Sequence, residues 1–176
     1  MRNIYDLTLQ ELEEYFIQIG EKPFRATQVY EGLYKKRLNS FDEMTNISKE
    51  LREKLTNDFS LFKIKLLIKQ TGKDVNKYLF ELEDGNKIES VLMFHDYGTS
   101  ICVSSQVGCN MTCAFCESGR LKKVRNLLAY EIVEQILLIE EDIKKKVKEL
   151  VDLVIERNIQ IILFIMMNCS TLLIEN

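Results

Sequence analysis

Apolar positions recur at helical spacing through the first third of the chain and at strand spacing through the middle. Leu9, Leu12, Phe16 and Ile19 fall on one side of a helix that Thr8 and Glu11 open as a Thr-x-x-Glu capping box. Gly20 stands where a C′ residue would end it. Pro23 suits the start of a second helix carrying Ala26, Val29, Tyr30 and Leu33, whose basic end (Lys35, Lys36, Arg37) complements the helix dipole. A third helix begins near Ser48 and buries Leu51 and Leu55.

The period changes after Asp58. Phe62, Ile64, Leu66 and Ile68 alternate as in a half-buried strand. Tyr78, Phe80 and Leu82 alternate next, Asp84-Gly85 makes a turn, and Ile88 to Met93 returns as a hairpin partner. A further strand, Ser100 to Ser104, leads into a cysteine-bearing loop. Beyond it, Ala129 to Val147 reads as an amphipathic helix with Ile132, Val133, Ile136, Ile139 and Ile143 inward, and Leu150 to Ile155 as a buried strand. Strand, loop, helix and strand in that order imply a β/α unit with parallel pairing, and hence an α/β class. No internal repeat is visible. The expected division runs near residue 98, between an accessory region (1–98) of helices and a hairpin and a β/α region (99–155), with 156–176 as a tail.

Composition narrows the function classes. A chain of 176 residues holds one ordinary domain or two small ones. At 46% hydrophobic and 29% charged it has the balance of a soluble globular protein, and a net charge of −3 gives no global basic field for nucleic acid. RNA contact would fall to local groups: Arg25, Lys35, Lys36 and Arg37, or Lys122, Lys123 and Arg125. The bland reading of both is a solvated helix end and a solvated loop, and Lys144 to Lys148 read as the solvated end of a helix. Five cysteines without a signal-peptide pattern argue for a reducing, cytoplasmic setting. The longest apolar run, Ile161 to Met167, is far short of a membrane span.

The chemistry concentrates in Cys109, Cys113 and Cys116, a C-x3-C-x2-C run at the C-terminal end of a strand, where β/α proteins place their sites. Three thiolates on one short loop suit an iron–sulfur cube with one iron left open. Zinc with Cys102 or His95 as fourth ligand is the competing reading, and a set of buried cysteines without metal is another.

The surrounding residues, Cys-Val-Ser-Ser-Gln-Val-Gly-Cys-Asn-Met-Thr-Cys-Ala-Phe-Cys from 102 to 116, resemble the radical S-adenosylmethionine RNA methyltransferases that methylate carbon 2 of adenosine in large-subunit ribosomal RNA and some transfer RNAs. Val124-Arg-Asn-Leu127 with the helix from Glu131 resembles the stretch after that family's cluster loop. Phe24-Arg-Ala-Thr-Gln-Val-Tyr30 and Ser40-Phe-Asp-Glu-Met-Thr-Asn46 resemble its accessory domain. The resemblance implies the start of a partial β/α barrel, a 4Fe–4S cluster held by Cys109, Cys113 and Cys116, and S-adenosyl-L-methionine packed near Phe115. It implies Cys102 as the cysteine that acts on the adenine proton to resolve a protein–RNA crosslink, and Glu89 as proton acceptor. The bland readings are a buried small hydrophobe for Cys102 and a solvent-facing hairpin residue for Glu89. Ribosomal and transfer RNA as partners follow from the resemblance, as does an electron donor such as flavodoxin.

Two parts of the family pattern are not found. After Asp152-Leu-Val-Ile155 a Gly-Glu-Pro segment for the cofactor's methionine end is expected, and Glu156 to Met167 differs from it. The methyl-carrying cysteine of the family has no match, since Met-Asn-Cys169-Ser stands in a different context. A full β/α barrel needs about 250 residues, so the expectation is a shortened or frame-shifted copy, inactive as it stands, with uncovered strand edges that include Ile161 to Ile165. The alternative from another class is a non-catalytic, zinc-holding RNA-binding module.

Overall fold

The computed structural model describes residues 1–96, 98–109, 121–147 and 161–165, the side chains of 144–147 and 161–165 excepted. Contacts divide the chain into two compact units between Lys63 and Ile64.

The first unit comprises β1 (Arg2–Asn3), α1 (Leu9–Gln18), α2 (Phe24–Tyr34), α3 (Lys49–Asp58) and β2 (Phe59–Ser60), with β1 and β2 paired in parallel. The capping box is complete: the Thr8 hydroxyl accepts from the Glu11 N–H at 3.2 Å, and the Glu11 carboxylate accepts from the Thr8 N–H at 2.8 Å. Gly20, at φ +81°, closes α1 as a Schellman motif, in which the Glu21 N–H reaches the Phe16 carbonyl and the Gly20 N–H that of Ile17. Leu12, Phe16, Ala26, Val29, Leu33, Leu51 and Leu55 are buried together with Phe41 and Met44.

The second unit is built on a sheet of β3 (Lys65–Thr71), β4 (Val75–Glu81), β5 (Lys87–His95), β6 (Gly98–Val103) and a strand at Ile161–Ile165, in that spatial order. The first three pairings are antiparallel, and the last is parallel. A short ribbon joins Gln106–Val107 (β7) to Arg125–Asn126 (β8), and α4 (Ala129–Val147) follows. With α4 completing the described strands, the class is α/β.

Four expectations change. The hairpin lies in the same sheet as the strand leading to the cysteines, so residue 98 falls inside that sheet. The parallel partner of β6 is Ile161–Ile165, here β9, from the stretch read as a tail; Leu150 to Ile155 lies outside the described residues. The apolar alternation before the hairpin does not make a half-buried strand. β3 is an edge strand with a register shift between Leu66 and Ile68, and Leu66, Leu67 and Ile68 are exposed.

The fourth change concerns α4. Its bounds are as expected, but of its isoleucine and valine stripe only Ile139 is fully buried, while Ile132, Val133, Ile136 and Ile143 are half-buried. Glu131, Glu134, Gln135 and Glu140 are buried instead. Beside Tyr130, Leu137 and Ile139 the buried face carries these polar side chains, and one of them meets a main-chain group that needs a partner: the Glu134 carboxylate accepts the Ile64 N–H at 2.9 Å.

Candidate functional site

Strand register fixes which residues share a face. Val91 stands opposite Cys102 and Leu79 opposite Glu89, so Glu89, Val91 and Cys102 project to one side of the sheet, Glu89 on the diagonal from Cys102. The other side carries Ser90, Leu92, Ile101 and Val103 towards α4, since the Ser90 hydroxyl donates to Gln135 at 2.7 Å. Glu89 is exposed and Cys102 half-buried. The hairpin therefore places Glu89 on the face of Cys102 by extending the sheet. Burial raises the Cys102 thiol above its ordinary range, which holds it as a neutral S–H.

Past β6 the chain enters a narrow neck. Gln106 pairs with Asn126 and Val107 with Arg125, and the Cys109 N–H donates to the Leu121 carbonyl at 2.9 Å. Gly108 makes this closure possible. Its φ is +70°, and a Cβ there would lie 2.2 Å from the Lys122 carbonyl oxygen. Cys109 is buried at the neck. Cys113, Cys116 and Phe115 lie outside the described residues, as does Cys169.

The neck is anchored at β8. The Arg125 guanidinium donates two bonds to the Glu131 carboxylate, at 2.7 and 2.8 Å, and another to Asp84 in the β4–β5 turn at 2.7 Å. These carboxylates hold Arg125 firmly protonated, the Glu131 bond contributing most. Glu131, 1% exposed, also accepts the Leu128 N–H at 2.7 Å and so caps α4. Arg125, grouped by sequence with possible phosphate contacts, is thus engaged within the protein. In the first unit Lys35 pairs with Glu31, and Arg25 donates to Gln28 and to the Asn46 carbonyl. No sequence signal pointed to Gln135 or Ser104. A glutamine on the polar side of a helical pattern looks solvent-facing until the sheet is known.

Of the expected cluster ligands, Cys109 lies among the described residues, seven positions beyond Cys102. Cys109 opens the three-cysteine segment at a neck closed by main-chain bonds, whereas Cys102 lies within β6. Among the described residues no helix is long and apolar enough to cross a membrane.

Residues 2–61 match the ribosomal RNA large subunit methyltransferase N-terminal domain, a span close to the first compact unit. The chain is 54% identical over 142 residues to the probable dual-specificity RNA methyltransferase RlmN of Geobacillus thermodenitrificans, covering 79% of this chain and 38% of that protein. It is 51% identical to the protein of the same description from Bacillus subtilis, with 79% and 39% covered. Its fold is similar to the crystal structure of a radical SAM methyltransferase from Sphaerobacter thermophilus, with a TM-score of 0.75 and 35% identity, over 83% of this chain and 43% of that one. The chain thus spans about two fifths of the length of the relatives it matches.

Proposed function

This chain belongs, over the segment it shares with them, to the RlmN-type radical SAM RNA methyltransferases, and on that premise we propose that it carries the cluster-binding and proton-handling part of an adenine-C2 methyltransferase. The observation that carries the reading is the register that puts Glu89 and Cys102 on one face of the sheet whose strand β6 runs on to Cys109.

When bound through Cys109, Cys113 and Cys116, a 4Fe–4S cluster supplies the electron for reductive cleavage of S-adenosyl-L-methionine. The chain's own residues position the ligands, shield the cofactor and move the proton. The neck holds Cys109 and Leu121 together, and the family resemblance assigns Phe115 to shielding the cofactor. Cys102, kept as a neutral thiol by burial, must lose its proton before it can take one from carbon 2 of the adenine. Glu89, a carboxylate on the same face, is the acceptor for that proton. Ribosomal and transfer RNA are the substrates in this reading, with the adenine unstacked to reach the face, and the dual specificity in the relatives' name supports the pair. An electron donor such as flavodoxin and a cytoplasmic setting complete it.

Anaerobic reconstitution of the chain with ferrous iron and sulfide tests the proposal. A brown protein with iron and sulfide near about four each supports the cluster. A colourless protein holding stoichiometric zinc would falsify it in favour of a zinc-holding RNA-binding module. Cys102→Ala is expected to leave iron content unchanged, because Cys102 is not a ligand; a fall in iron would make it one.

A further inference from the structure

Gln135 lies on the second turn of α4 and is 0% exposed. A primary amide offers two acceptor sites and two donors, and all four are used. Its Oε1 accepts the Ser104 N–H at 2.9 Å and the Ser90 hydroxyl at 2.7 Å. Its Nε2 donates to the Ser104 carbonyl at 3.1 Å and to the Glu131 carbonyl at 2.8 Å. Ser104 is therefore bound by both main-chain groups to one side chain, in the manner of a strand partner. Its own hydroxyl donates to the Glu89 carbonyl at 2.7 Å.

The location gives this knot its meaning. Ser104 follows the last residue of β6, and the next carbonyl, that of Ser105, accepts the Leu127 N–H beside the neck. One buried amide thus ties the exit of β6 to β5 at Ser90, and through Ser104 to the main chain of Glu89. We propose that Gln135 is a positioning residue that sets the neck bearing Cys109 in fixed relation to Glu89. The inference rests on the cluster reading for its functional sense. An unpaired buried amide or carbonyl is costly, so removing Gln135 releases Ser104 to seek water and loosens the strand exit before the sheet itself.

The test uses the whole chain and Gln135→Met, which keeps the volume and loses all four bonds. Exchange of the Ser104 amide is expected to accelerate more than tenfold, with the amides of Leu92 and Ile101 unchanged. After anaerobic reconstitution with ferrous iron and sulfide, bound iron should fall below half of the unsubstituted level. The low-temperature EPR lines of the reduced protein should broaden. If Gln135→Met does not fold, Gln135→Glu carries the test. It keeps an acceptor for the Ser104 N–H and loses the donor to the Ser104 carbonyl, so the same changes are expected at smaller size. Iron content and line shape equal to the unsubstituted chain, or exchange rising equally throughout β4 and β5, overturns the proposal. Should the unsubstituted chain take up no iron, the cluster reading fails, while Ser104 exchange still decides whether Gln135 holds the neck.

Discussion

Arg125 and its carboxylates illustrate how far single residues depend on partners distant in sequence. Glu131 is buried, and its charge is matched by the guanidinium and by the Leu128 N–H. Arg125→Ala should cost about 2 kcal/mol in urea unfolding, less than a fully buried pair because Arg125 reaches solvent and one cap bond survives. Arg125→Lys, unable to reach both carboxylates in a fork, should recover only part. Asp84 adds a pH signature. Hydrogen bonding from the Asn86 main chain, then from its side chain, and from Arg125 lowers its carboxyl from the ordinary 3.8 to about 2. A lowered carboxyl stabilises the fold above its unfolded value and loses that contribution as pH falls towards the folded one. Unfolding midpoints should therefore drop between about pH 4 and 2 more in the natural chain than in Asp84→Asn. Gly108 is the strictest position: Gly108→Ala should cost about 1–2 kcal/mol from its left-handed backbone alone, and more from contact with the Lys122 carbonyl. Faster exchange of the Cys109 amide would report it. Sequence showed that Gly108 precedes the cysteines but not why, since the group it must avoid lies fourteen residues further along.

At the level of elements, legibility follows the range of the interactions. The helices of the first unit were readable because caps and apolar stripes are local: Thr8, Glu11 and Gly20 act within one turn of their helix. Thr8→Ala should cost about 1 kcal/mol in thermal or urea unfolding, and an unchanged midpoint would deny the cap its role. The hairpin was readable for the same reason, with Asp84-Gly85 between alternating runs. The orientation of α4 was not. Isoleucines drew the expected inner face, yet Ile64 presents an N–H that Glu134 accepts, and the sheet exit at Ser104 an N–H and a C=O that Gln135 satisfies. A strand with a bulge was equally hidden, because Leu67 breaks the alternation only once pairing with β4 is known.

For the whole molecule, the sequence motifs pointed to a chemistry more directly than to the architecture. Cys102, Cys109 and Glu89 were named from their context, but their relation is a matter of long-range register that spacing cannot supply. The division at Lys63 leaves the helical unit with its own core of Leu12, Phe16, Leu33 and Leu55. Residues 1–63 expressed alone should therefore give a helical circular dichroism spectrum and a cooperative, if low, thermal transition; a non-cooperative melt would count against an independent unit. The pairing of β9 with β6 shows that Ile161–Ile165 has at least one strand edge satisfied, where uncovered edges were expected. The neck also has a statistical consequence. The chain leaves it at Cys109 and re-enters it at Leu121 a hydrogen bond away, so the entropy of bringing those two residues together is met by the fold itself. Under the proposed cluster reading, that part of the closure cost would no longer oppose the binding of a metal there.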